Sequence, residues 1–99
     1  MQSLKIEVQQ QDINKGVRQD CNLCPVALAI KRAFSFASYV GVTPWDVRIQ
    51  FLLPDEKVFF KAKLSRSASR FIHAFDGGIK HVVPFNFMVN LRRESYYGA

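Results

Sequence analysis

The run Val47-Arg48-Ile49-Gln50-Phe51-Leu52-Leu53-Pro54-Asp55-Glu56-Lys57-Val58-Phe59-Phe60-Lys61-Ala62-Lys63-Leu64 decides the fold. Val47, Ile49, Phe51 and Leu53 alternate with Arg48, Gln50 and Leu52, the two-residue period of a strand with one buried face. Pro54 to Lys57 is a turn, with proline where its fixed φ is favoured. Val58, Phe60, Ala62 and Leu64 then alternate with Phe59, Lys61 and Lys63. Two such strands joined by so short a turn form an antiparallel hairpin.

Downstream of the hairpin, Ser65 or Ser67 caps a helix. Its stripe is Ala68, Phe71, Ile72 and Phe75, at i, i+3, i+4 and i+7. Gly77-Gly78 ends it, with the first glycine expected in the left-handed cap position. Phe85 to Leu91 alternates almost perfectly and reads as a strand. Upstream, Tyr39–Val42 is a short extended piece, followed by a loop at Thr43-Pro44. Cys24-Pro25 opens a helix, because proline at the first helical position loses no hydrogen bond. Val26, Ala29, Ile30, Ala33 and Ala37 follow at helical spacing, and the helix frays near Ser35–Ser38. Asp12 caps a short turn that Gly16 ends, and Leu4, Ile6 and Val8 form the first strand.

The order strand, helix, strand, strand, helix, strand is that of a ferredoxin-like βαββαβ fold. The expected class is α+β: one domain over residues 1–99, an antiparallel sheet and two helices on one face. Residues 92–99 are expected to be a flexible tail. A competing arrangement wraps the hairpin and last strand around one helix.

Composition narrows the function. The chain has 99 residues, 14 Lys and Arg against 8 Asp and Glu, and a net charge of +6. That length supports one modest core. Two cysteines do not make a disulfide framework. No apolar run reaches the roughly 18 residues of a membrane span, and residues 1–5 lack the apolar stretch of a signal peptide. The expected compartment is therefore cytoplasmic, that of the host cell if the chain is phage-encoded, with reduced thiols. Excess positive charge favours an anionic partner, nucleic acid or an acidic protein surface; it also serves plain solubility.

Cys21-Asn22-Leu23-Cys24-Pro25 at a helix start is the conspicuous local motif. A helix N-terminus favours thiolate, but redox Cys-x-x-Cys pairs follow a strand, and here a turn precedes. The pair is also half of a zinc site. The other half would be His73 and His81, set wider apart than zinc ligands usually are. Against both stands the simpler role of small residues buried at the helix start. There is no phosphate-cradling glycine loop and no nucleophile motif. Asp12, Asp46, Asp55 and Asp76 occupy turn or cap positions where Asp is ordinary. No enzyme activity and no cofactor is expected.

The water-facing side of the sheet carries Lys5, Glu7, Arg48, Gln50, Phe59, Lys61, Lys63, Asn86, Met88 and Asn90, with Arg66 and Arg70 on the following helix. Arg48, Lys61, Lys63, Arg66 and Arg70 supply electrostatic steering, and Phe59 an anchor. The strand order is shared with an RNA-binding module, but the glycines and paired aromatics of its signature are missing. Lysines on an exposed strand also deter aggregation.

Three stretches carry a resemblance: Gly16-Val17-Arg18 through Cys21 and on to Cys24-Pro25-Val26-Ala27-Leu28-Ala29; Phe71-Ile72 with Phe75-Asp76-Gly77; and Pro84-Phe85-Asn86-Phe87. Together they resemble short uncharacterised proteins of bacteriophages and mobile elements, over most of the chain. The resemblance carries no catalytic residues. It implies a small accessory protein that acts by binding. The expected function is that of a non-enzymatic regulator or inhibitor docking on a host protein or nucleoprotein complex with an acidic surface. The alternatives are single-stranded nucleic-acid binding by the same face, and a zinc or thiol-redox module at Cys21 and Cys24. A homodimer through an exposed strand edge is compatible with either binding role.

Overall fold

Alternating apolar residues bury one face of each strand and so fix which way the sheet lies on its helices. The computed structural model of the chain describes residues 2–79 and 81–94. In chain order its elements are β1 (Gln2–Val8), α1 (Gln10–Lys15), α2 (Pro25–Ala33), β2 (Tyr39–Val42), β3 (Asp46–Leu52), β4 (Lys57–Lys63), α3 (Arg66–Asp76) and β5 (Phe85–Arg93). The five strands form one antiparallel, curled sheet in the order β1-β5-β4-β3-β2. Ile6, Val8, Val40, Val42, Val47, Ile49, Ala62, Phe87 and Val89 share a single core with Val26, Ala27, Ala29 and Ile30 of α2 and Ala68, Phe71, Ile72 and Phe75 of α3. Two runs of ring contacts reinforce it. Phe34, Phe51 and Phe60 meet edge to face, and Phe75, Phe71, Phe85 and Phe87 follow one another at 4.8–6.1 Å.

The hairpin register is as the alternation requires: Val47 faces Ala62, Ile49 faces Phe60 and Phe51 faces Val58. The topology, however, is not ferredoxin-like. The order is β-α-α-β-β-β-α-β. Tyr39–Val42 is a full strand on one edge, and β1 lies on the other edge, paired with β5 alone. The outer side of β1, where a ferredoxin-like fold would put another strand, is reached by a side chain of α2 instead. There Arg32 Nη2 donates to the Glu7 carbonyl at 2.9 Å.

The opposite edge is closed similarly. Asn22 Nδ2 donates to the Val40 carbonyl and the Val42 N–H donates to Cys21 O, both at 2.8 Å. Two strand edges are thus occupied by polar groups at the two ends of one helical segment, and the sheet curls to bring both to it. Bonds of this kind hinder pairing with another chain at the atoms they engage.

The structure differs from the local expectations in three places. Asp12 is not a cap but the third residue of α1, where it accepts the Gln9 N–H at 2.8 Å. Gly77 is right-handed (φ −78°), and the left-handed residue is Gly78 (φ +82°), which a side chain at that position would strain. Gly16 is extended; it is required because a Cβ there would come within 2.6 Å of the Pro25 ring. Arg92 and Arg93 are strand residues, not tail; residues 95–99 lie outside the described residues. Phe36, in the turn after α2, is 91 % exposed.

Asp12 is 3 % exposed and is the buried charge among the described residues. Its carboxylate accepts from both guanidinium nitrogens of Arg32, at 2.5 and 2.9 Å, and this bond raises the Arg32 pKa from its ordinary value. One residue thus joins α1, α2 and the end of β1. Arg32 keeps some solvent, so Asp12→Ala is expected to cost about 1–3 kcal/mol. Guanidinium unfolding of the variant checks this; an unchanged midpoint would show that the pair contributes nothing.

Candidate functional site

Among the described residues β4 and β5 pair only briefly. Phe60 faces Arg93, Lys61 faces Arg92, and the Glu94 N–H donates to the Phe59 carbonyl at 2.8 Å. Beyond Lys61 and Arg92 the strands diverge, leaving a cleft of about 720 Å³ between them. Lys61, Lys63, Arg92 and Arg93 line it along with Ala62, Leu64 and Val89, and Ser3, Ser65 and Asn90 add polar groups. Among the described residues, the one carboxylate in its lining is that of Glu94.

The register builds a cationic row on the outer face of the sheet. Gly41 faces Arg48, Arg48 faces Lys61, and Lys61 faces Arg92 across four strands. Like charges directly opposite one another destabilise a sheet. Their neutralisation is slight. Lys61 Nζ stands 3.9 Å from Asp46 and Arg93 stands 3.6 Å from Glu56, both at solvated positions. Among the described residues no ion pair engages Arg48, Lys63 or Arg92.

The structure therefore brings Arg48, Phe59, Lys61 and Lys63 together on one face. Arg66 and Arg70 are exposed on α3, whose other side packs on the inner face of the sheet, and they do not line the cleft. Arg92 and Arg93, expected in a tail, line the cleft as residues of β5. Their signal was present, since the Phe87, Val89, Leu91 alternation continues through Arg93. Tyr39 faces Gln50, which faces Phe59, in a row next to the cations.

Cys21 and Cys24 differ. Cys24 is buried, its Sγ accepts the Ala27 N–H at 3.4 Å as the cap of α2, and burial pushes its pKa up. Cys21 is exposed. His73 and His81 are exposed, and the Trp45 ring lies edge-on to His73. Among the described residues, no three of His, Cys, Asp and Glu gather as metal ligands, so the four residues are not brought into a zinc site. Nor does any helix among them have the length and apolarity to cross a membrane. Compared with protein-family models, curated proteins and solved structures, the chain matches none.

The contrast between the thiols is measurable. Ellman's reagent at neutral pH is expected to modify Cys21 in the folded chain and Cys24 only after unfolding. Because the folded pKa of Cys24 is raised, its contribution to stability is complete below the ordinary thiol range. It is lost as pH rises through the raised value. Cys24→Ala should remove that part of the alkaline decline. Two thiols reacting equally fast in the native protein would contradict the burial.

Proposed function

We propose that the protein is a binding module that docks on an acidic surface of a partner protein, using the outer sheet face and the β4–β5 cleft. One observation carries this: Arg48, Lys61 and Arg92 stand in direct cross-strand opposition with little neutralisation. Such a row costs folding stability, and an anionic partner relieves the repulsion on binding. The role agrees with the accessory, inhibitor-like character that the resemblance to phage-borne proteins implies. Long-range attraction by these charges would raise the rate of encounter, and the mixed polar and apolar cleft would set the fit.

Single-stranded nucleic acid is a second reading with its own support. Tyr39, Gln50 and Phe59 form a row of two rings and an amide beside the cations, a combination suited to base stacking and phosphate contact.

Lys61→Thr separates the site from the scaffold. It removes the central charge of the row and places a β-branched residue in a strand. The variant is expected to unfold at the same or a higher temperature. It should bind labelled poly-L-glutamate about tenfold more weakly, the size expected for one charge-assisted contact. Equal binding by the variant would remove the row from the site. Tighter binding of a mixed-sequence DNA oligonucleotide, with affinity falling linearly in log salt, would replace the protein partner with nucleic acid.

A further inference from the structure

We propose, building on that basic face, that the β4–β5 split receives an extended segment of the partner, alternating acidic and apolar residues, as an added strand on the inner edge of β5. The backbone sets up the slot. In an antiparallel ladder, alternate residues turn their N–H and C=O groups toward the same neighbour. Because the Glu94 N–H bonds to Phe59 O, the odd residues of β4 and the even residues of β5 point at each other. Lys61 and Arg92 are the last such pair. Past them, Lys63 on one side and Met88 and Asn90 on the other face the cleft. Among the described residues no backbone hydrogen bond joins them.

An open edge of this kind offers carbonyl acceptors as well as N–H donors. A peptide main chain uses both, whereas a phosphodiester can only accept. This favours protein over nucleic acid as the occupant. Residues 88–90, which line the cleft, would present about 10 Å of strand, enough for a guest of about three residues. The side chains around the slot then select its sequence. Guest residues pointing outward would lie among Lys61, Lys63 and Arg92, and those pointing inward against Ala62, Leu64 and Val89. The first set calls for Asp or Glu and the second for Val, Ile or Leu.

The other edges of the sheet strengthen the assignment. On β2, Asn22 takes the Val40 carbonyl and the Val42 N–H is held by Cys21 O, while on β1 Arg32 takes the Glu7 carbonyl at one end of the strand. The interior edge has no such cover and is bordered by cations, which repel another copy of this basic chain and attract an acidic one.

The experiment titrates the full chain with a short labelled peptide of alternating glutamate and valine, and with the same peptide N-methylated at every second residue. Expected are saturable binding of the first, about tenfold weaker binding of the second from the lost main-chain bonds, and slowed amide exchange at Met88 and Asn90. Met88→Pro removes one cleft-facing N–H without touching the bonds to β1, and should weaken binding similarly. The peptide pair and the exchange data keep the test decisive if that variant misfolds. Equal binding of both peptides would overturn the added strand while leaving the basic-face reading intact. Binding of poly-L-glutamate with no binding of the alternating peptide would do the same. Absence of all three would overturn both.

Discussion

The structure depends on α2 being tied to both outer edges of the sheet. At its C-terminal end Arg32 spans the Asp12 carboxylate and the Glu7 carbonyl, at the margin of β1. Just before its N-terminal end, Asn22 and the Cys21 carbonyl satisfy the margin of β2. A five-stranded sheet whose first and last strands both reach one helix of nine residues has to curl tightly. Among the described residues the pairing is thinnest between β4 and β5, and the cleft opens there.

This links stability to function in one direction. The bonds on the outer edges hinder unwanted strand pairing at those atoms. The unpaired backbone is moved to the interior of the sheet, where Lys61, Lys63, Arg92 and Arg93 surround it. Like-charge opposition on the outer face is a local inconsistency in an otherwise consistent sheet, and such inconsistencies concentrate at sites kept for binding. The Cys-x-x-Cys motif, prominent in sequence, is absorbed by the scaffold. Cys24 caps α2 from a buried position, and Cys21 lends its carbonyl to β2.

Much of this was legible from local pattern. The hairpin, the stripe of α3, the proline-initiated α2 and the inward set from Ile6 to Val89 follow from periods of two and 3.6 residues. Arg48, Phe59, Lys61 and Lys63 could be assigned to one face for the same reason. Arg66 and Arg70 could not be placed relative to that face, because a two-residue link does not say on which side of the sheet the next helix packs. Arg92 and Arg93 looked like the start of a charged tail. They are strand because their backbones find Lys61 and Phe60 about thirty residues away.

The sequence by itself determined which residues are buried and which are wet, since side-chain alternation is a property of each segment alone. It also determined the excess of positive charge. What only the tertiary structure decided was which strand lies beside which. β1 at an edge, β2 as a fifth strand and the gap between β4 and β5 are long-range pairings. They are set by which apolar faces come together in one core and by contacts such as the Asp12–Arg32 bond, not by any local period. The cationic row and the cleft exist only in that order of strands, so the site became visible when the pairing did.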